Sequence, residues 1–468
     1  MSQNKSETKE VQVGLSSLER KAVFSLASIY FLRMLGLFMI LPVFALYAEH
    51  LDGATPMLIG LAIGIYGLTQ AAFQVPYGMA SDRIGRKPVI VVGLLIFAGG
   101  SVVAALADNM TWVIVGRALQ GMGAIAATIM ALTADLTREE NRLSAMAIIG
   151  MSIGVSFAIS LIMGPILNGW IGVPGIFWLT AVLALGAILV VKFVVPTPVR
   201  SRFHRDMMPV KAQLKEVLID KQLLRLDVGI FVLHMLLTAT FVVFPLALRD
   251  SAGLPADQHW IIYLPVMILA MLLMVPFLIL AEKKHKLKQV FSAAVLSLVI
   301  AELGFMQLHD SVTGLVFSLF VFFTAFNVLE ATLPSLIAKT SLPDHKGTAM
   351  GVYSSSQFLG AFFGGVLGGL FHGQWGLQAV FGLAALMALA WFFLASTMQN
   401  PRYLSSHLLR VGDVDEAQAR DLVNKLTAVR GVAEAVVVIE DGIAYLKVDL
   451  HALDRQALQQ YTVAESGG

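Results

Sequence analysis

Blocks of roughly 20 to 25 apolar residues recur along most of the chain, each long enough to cross a ~30 Å hydrocarbon core as a helix. Inside lipid every backbone N–H and C=O must find a partner in the protein, which leaves helices packed on helices as the fold for such runs. The blocks fall at about 22–48, 56–80, 88–107, 111–134, 145–170 and 174–195, then at about 226–249, 259–281, 290–309, 313–338, 348–371 and 376–397. The expected fold is therefore all-α and membrane-spanning: twelve transmembrane helices in two six-helix halves. Charged residues are 14% of the chain, against about 25% in soluble domains, too few to coat a surface that faces water all round.

Other classes drop out on composition. The chain has no cysteine, which removes disulfides, thiolate metal sites and Cys nucleophiles. A net charge of +2 gives no reason to expect nucleic acid as a partner. The leading stretch "MSQNKSETKEVQVGLSSLER" is polar and lacks the apolar core of a secretory signal, so insertion is expected to begin with the first span. No Walker loop or paired catalytic constellation appears, so an enzyme, cofactor or metal is not expected.

Lys and Arg set the direction. One set of connections carries 22 of them, the opposite set only Arg249 beside Glu49, Asp52, Asp108, Asp250, Asp257 and Asp310. Such a split places both termini and the central link in the cytoplasm. The expected organisation is a cytoplasmic N-terminal segment at 1–21, a first half at 22–195, a cytoplasmic linker at 196–225, a second half at 226–398 and a cytoplasmic domain at 399–468.

The halves also repeat. Ser152, Ser156, Ser160 and Gly164 form a small-residue stripe, and Ser356, Gly360, Gly364 and Gly368 repeat it 204 positions later, as do Gly169 and Gly373. Small residues let helix backbones approach closely in lipid. Duplicated halves of this kind are typical of transporters that rock about a central site.

Between the second and third blocks lies "YGMASDRIGRKP". Gly78 is expected to allow close helix approach and Gly85 a tight turn, with the acid Asp82 preceding the bases Arg83, Arg86 and Lys87. Gly78-x3-Asp82-Arg83-x-Gly85-Arg86-Lys87 resembles motif A of the major facilitator superfamily. The resemblance implies that this loop latches the two halves in the outward-facing state, with Asp82 and Arg83 in the latch and Asp135, at the end of the fourth span, as partner of the basic cluster. In "GRALQGMGAIAA", Arg117, Gln120, Gly121 and Gly123 resemble motif B, common in proton-coupled members. Gly164, Pro165 and Gly169 resemble motif C of drug–proton antiporters, although Asn168 and Ser160 stand where glycines are usual.

Ionisable residues inside spans cost roughly 2.5–3.5 kcal/mol on insertion scales and mark function by default. Arg33, Arg117, His234 and Glu330 are the candidates for the central cavity and for proton coupling, with Arg33 and Glu330 a pair of opposite charge and His234 close to titration at neutral pH. Glu302 is read as a residue of a helix–helix or lipid-facing interface before a functional one.

After Pro401 the pattern changes to strand, helix, two strands joined at Asp441-Gly442, and a last helix. The order βαββα fits a small α+β ferredoxin-like domain. Without a Cys pair it is read as a regulatory or self-associating module. The family resemblance implies an inner-membrane secondary transporter of bacterial type, exporting small amphipathic or drug-like solutes in exchange for protons, with lipid, solute and protons as its partners. A proton-independent facilitator or importer, or a sensor signalling through the tail, are the alternatives.

Overall fold

The computed structural model describes residues 15–197, 210–341, 346–399, 405–412, 414–439, 442–449 and 452–461. The polar leader up to residue 14, residues 198–209 of the central link and Asp441 of the expected hairpin turn lie outside the described residues. Contacts divide the chain into two units, Met1–Gln399 and Asn400–Gly468.

Among its described residues, the first unit is built of helices. Its helices are α1 (Ser17–Phe38), α2 (Phe44–Ala48), α3 (Pro56–Ile84), α4 (Arg86–Ala105), α5 (Met110–Met122), α6 (Ala126–Leu136) and α7 (Glu139–Phe193). The second group is α8 (Val210–Ile219), α9 (Lys221–Leu246), α10 (His259–Lys283), α11 (Leu287–Leu308), α12 (Val312–Thr340), α13 (Lys346–Trp375) and α14 (Leu377–Ser396). Among the described residues, ten helices are long and apolar enough to cross a membrane. The expected fifth and sixth spans form one of these ten, since α7 runs through both with a single non-helical residue, Gly172 (φ 67°, ψ 173°). Glycine tolerates that left-handed φ, and Pro174 follows it inside the same helix. The expected eleventh span is α13, whose glycine- and serine-rich sequence keeps it out of that set of ten.

Local signals start and stop these helices. Ser16 and Glu19 close a reciprocal capping box on α1, and Thr55 caps α3 with Pro56 in its first turn. Gly85, at φ 104°, ends α3 and starts α4 directly, so the loop read from the sequence is a single-residue corner.

The repeated stripes are packing surfaces. In the first half Ser160 Oγ donates to the Leu35 carbonyl of α1 at 3.0 Å, and a Cβ on Gly164 would collide with the Met39 carbonyl. In the second half Cβ atoms on Gly360, Gly364 and Gly368 would press on the α9 backbone at Phe231, Met235 and Ala239. Gly169 faces open space and takes no part.

A second glycine seam joins the first group of helices to the second. Gly60, Gly64 and Gly67 of α3 meet the backbone of α13 at Gly365, Phe362 and Phe358, while Gly369 meets Pro56 and Met57. A Cβ at any of the five glycines, Gly60, Gly64, Gly67, Gly365 and Gly369, would strike backbone, which does not yield. Toward the other end of α13, Gly347 and Gly351 face open space.

The second unit has the element order expected from the sequence: β1 (Ser405–Arg410), α15 (Glu416–Ala428), β2 (Val432–Val438), β3 (Ile443–Val448) and α16 (Arg455–Gln459). The strands lie in the order β1-β3-β2, both pairs antiparallel, with Leu408 opposite Tyr445 and Val436 opposite Tyr445. Leu409, Leu426, Ala444, Leu446, Val448 and Leu458 build its core. Gly442, at φ 61°, turns β2 into β3.

Candidate functional site

The buried polar groups of the first half surround the two intramembrane arginines. Arg33 is fully buried and donates to Tyr66 Oη (2.9 Å), Gln70 Oε1 (2.7 Å) and the Gly123 carbonyl (3.0 Å). That carbonyl is available because the chain leaves helical geometry between α5 and α6, at Gly123–Ile125. Arg117 donates to Gln120 Oε1 (2.7 Å) and to the Ala62 carbonyl (3.2 Å), and Gln120 passes the chain on to Ser101 Oγ at 2.8 Å. Both guanidinium groups stand over the Tyr66 ring, at 5.9 and 5.3 Å from its centre, a favourable cation–π placement away from water. Gly121 and Gly123 are tied to this arrangement, since a Cβ on either would collide with the Tyr66 or Gly93 carbonyl.

The second half gathers acids instead. Gln357 of α13 donates from its amide to His234 Nε2 at 2.8 Å and to Glu330 Oε1 at 3.3 Å. His234 and Glu330 are themselves 3.9 Å apart; the Glu330 side chain is partly exposed, but its Oε2 is buried without a partner. Arg33 does not pair with Glu330: its Nη2 is bonded to three neutral oxygens of its own half, while its Nε and Nη1 are buried without a partner and Glu330 takes Gln357 and His234. A desolvated arginine gains most from several well-placed acceptors, and the broken α5–α6 junction supplies one that no sequence pattern announces. Phe326 lies beside His234 at 5.8 Å and stacks on Phe157 of α7 at 5.9 Å, so aromatic rings from both groups of helices adjoin the acid cluster. Glu302 lies apart from this cluster, fully buried, accepting from Thr240 Oγ1 at 2.8 Å.

At the α3–α4 corner the centre of the charge cluster is Arg86. It pairs with Asp82 at 2.5 Å and with Asp135 at 3.1 Å, and donates to Ser81 Oγ at 2.7 Å. Arg83, expected in the latch, is exposed on the last turn of α3. Four residues separate Asp82 from Arg86, one helical turn across the corner, whereas Arg83 points away from that face. Lys87 caps the end of α7, donating to the Val195 carbonyl at 2.5 Å and to Thr197 at 3.0 Å. Gly78 makes no close approach: a Cβ there would meet only Ala127 Cβ, at an ordinary 3.9 Å. Beside this corner Glu19 ties α1 to α7, accepting from the Arg138 backbone N–H (2.7 Å), the Arg138 guanidinium (3.1 Å) and Asn141 (3.1 Å).

The opposite end carries a different ion pair. Arg249, in the π-helical turn after α9, donates to Glu49 at 2.8 Å and to Asp250 at 2.5 Å. A cavity of about 250 Å³ adjoins it, lined by Glu49, Thr55, Pro56 and Ile59 on one side and by Val242, Leu246 and His372 on the other. Motif C residues Gly164 and Pro165 lie in α7, where Gly164 packs on Met39 and Pro42.

Sequence reasoning missed Gln357, Asp227, Tyr353, Glu19 and the Glu49–Arg249 pair. Glu19 had a signal, the S-x-x-E pattern of a capping box. Gln357 and Tyr353 had none beyond their place beside the repeated stripe. Among the described residues no group of His, Asp and Glu could hold a metal ion.

The family model of the Major Facilitator Superfamily matches residues 26–339 and 226–410. The chain is 47% identical to the inner membrane transport protein YajR of Escherichia coli (strain K12) over 442 residues, 94% of this chain and 97% of that one. It is 26% identical to the multidrug resistance protein MdtH of Aeromonas salmonicida, covering 72% of this chain and 84% of the relative. Among solved structures, a bacterial homologue of the human lysosomal transporter Spinster, in an inward-facing and occupied conformation, superimposes with a TM-score of 0.69 at 15% identity, over 82% of this chain and 98% of that one. These relatives are transporters rather than enzymes, and this chain belongs to the major facilitator superfamily.

Proposed function

We propose that this protein is a secondary active transporter that exports small amphipathic or drug-like solutes in exchange for protons, by alternating access between two halves of six spans each. In this reading α7 supplies two of the twelve spans and α13 another. The Lys- and Arg-rich connections, both termini and the second unit face the cytoplasm. The second unit is a ferredoxin-like module with a regulatory or self-associating role.

The observation that carries the reading is the Glu330–Gln357–His234 cluster. It is a carboxyl group inside a membrane-spanning bundle, bonded to neutral partners and, among the described residues, with no cation at salt-bridge distance other than a titratable histidine. A fixed counter-ion such as arginine would pin the carboxylate in its charged form; a neutral amide and an imidazole leave it free to gain or lose a proton. The first-half arginines are withdrawn from this role by their own bonds. A transmembrane potential supplies roughly 2.3 kcal/mol per charge per 100 mV, enough to drive accumulation by such a group. The multidrug description of the relative MdtH supports a broad solute range.

The test is a solute screen in inverted vesicles carrying a pH-sensitive dye, with wild type and Glu330→Gln side by side. Proton release on adding one compound class, lost in Glu330→Gln, supports exchange. Solute uptake without proton movement in the wild type instead supports a facilitator. Deleting residues 400–468 separates a transporter, which keeps flux, from a sensor, which loses its output.

A further inference from the structure

Three buried oxygen atoms without a protein partner lie on adjoining helices of the second half: Glu330 Oε2 on α12, Tyr353 Oη on α13 and Asp227 Oδ1 on α9. Asp227 is 4% exposed and Tyr353 3% exposed. The helix register brings them together. α9 and α13 run in parallel with contacts at Phe231–Gly360, Met235–Gly364 and Ala239–Gly368, a constant offset of 129. The same offset sets Asp227 against Ser356, within one turn of Tyr353. Tyr353 lies one turn before Gln357 on α13, and Gln357 donates to Glu330 Oε1 at 3.3 Å. α14 approaches this part of α9 with an uncharged residue, Trp391, which lies against Gly229.

Depth orders the groups. At 1.5 Å per residue, Asp227 sits about 9 Å from the start of α9, and Glu330 about 15 Å from the end of α12 at the same face of the bundle. His234, which shares Gln357 with Glu330, is deeper still on α9. Buried polar atoms that lack protein partners are usually bridged by ordered water, which needs two or more of them in reach.

We propose that Asp227 and Tyr353 are the proton-relay residues through which Glu330 exchanges protons with the Lys- and Arg-rich face, an inference that rests on Glu330 being the exchanging carboxyl. The step balances without another reactant. Neutral Glu330 gives its proton through bridging water to Tyr353 Oη, and the tyrosine hydroxyl passes its own proton on to the Asp227 carboxylate. Glu330 is left ionised, Tyr353 regenerated and Asp227 neutral; Asp227 then releases the proton to water at the helix end. The group facing Asp227 in this path is Tyr353 from α13, with Glu330 from α12 and His234 beyond it, beside Gln357.

The experiment is time-resolved infrared spectroscopy of the full chain in liposomes after an alkaline pH jump, following the protonated-carboxyl C=O band. The portion of that band absent in Glu330→Gln defines Glu330. In Asp227→Asn and in Tyr353→Phe that portion keeps its amplitude but decays about a hundredfold more slowly, the size of a lost positioned acid–base group. Asp227→Glu restores the rate, which a merely structural defect would not allow. Wild-type decay in both Asp227→Asn and Tyr353→Phe overturns the relay while leaving Glu330 in place. A band unaltered in Glu330→Gln overturns the underlying reading, and the relay with it.

Discussion

Arg249 Nη2 donates to Glu49 Oε2 at 2.8 Å across 200 residues of chain, joining the two helix groups at the end of the seam where Gly369 rests on Pro56. Each side chain is about a third exposed, at 32% and 31%. An exposed pair contributes at most about 1 kcal/mol, roughly fivefold in the balance between two states. The pair can therefore bias the seam toward contact without locking it. Glu49→Gln is expected to raise the separated population by up to that factor. Nitroxides on Met57→Cys and Gly373→Cys, in a chain with no native cysteine, report it as a longer distance in pulsed electron resonance.

The glycine seam itself makes a stronger prediction. A Cβ at Gly365 would collide with the Gly60 carbonyl and press on the Gly64 backbone. Overpacking of this kind costs about 1–3 kcal/mol. Gly365→Ala should thus shift the same labelled pair toward the long distance more than Glu49→Gln does. Gly351→Ala, where a Cβ meets open space, should leave the distribution unchanged.

How much of this was readable in advance differs by kind of interaction. Apolar blocks, the 204-residue repeat and the glycine corner at Gly85 depend on short-range rules, and the helices, the two stripes and the φ of 104° follow them. Which partner a charge chooses does not. Arg33 and Glu330 look complementary on paper, yet Arg33 turns to a carbonyl that is free only because α5 and α6 do not join. Arg83 and Arg86 differ by three positions, but the corner turns one toward Asp135 and the other toward solvent. Gln357 carries no charge to attract notice, and it is the residue that holds His234 and Glu330 together.

In the second unit, Gly431 carries a backbone constraint as severe as any in the chain. Its φ is 90°, and an added Cβ would collide with Leu453 Cα. Left-handed strain on a non-glycine residue costs of order 1–3 kcal/mol before the clash is counted. A unit of this size has only a small core to spare. Gly431→Ala should open the unit in the full-length protein, seen as faster protease cleavage after residue 400 with the helical unit intact. Gly442→Ala, at φ 61° and with the Gly412 carbonyl 3.0 Å from an added Cβ, should be milder.

The corner between α3 and α4 offers a prediction that separates geometry from resemblance. Arg86 is 17% exposed and Asp135 15%, whereas Asp82 is 57% exposed. Hydrogen bonds to charged groups are worth about 1.5–3 kcal/mol when largely shielded from water, so Arg86–Asp135 outweighs Arg86–Asp82. Arg86→Ala leaves Asp135 without its cation and should destabilise the first half by about that amount, and Asp135→Asn should cost less because it removes the charge that needs a partner. Arg83→Ala, at an exposed site, should fall within about 0.5 kcal/mol of wild type. Thermal unfolding of the three variants in one detergent checks the order. If Arg83→Ala costs as much as Arg86→Ala, Arg83 holds the corner as the motif implies, and the Arg86–Asp135 bridge is incidental.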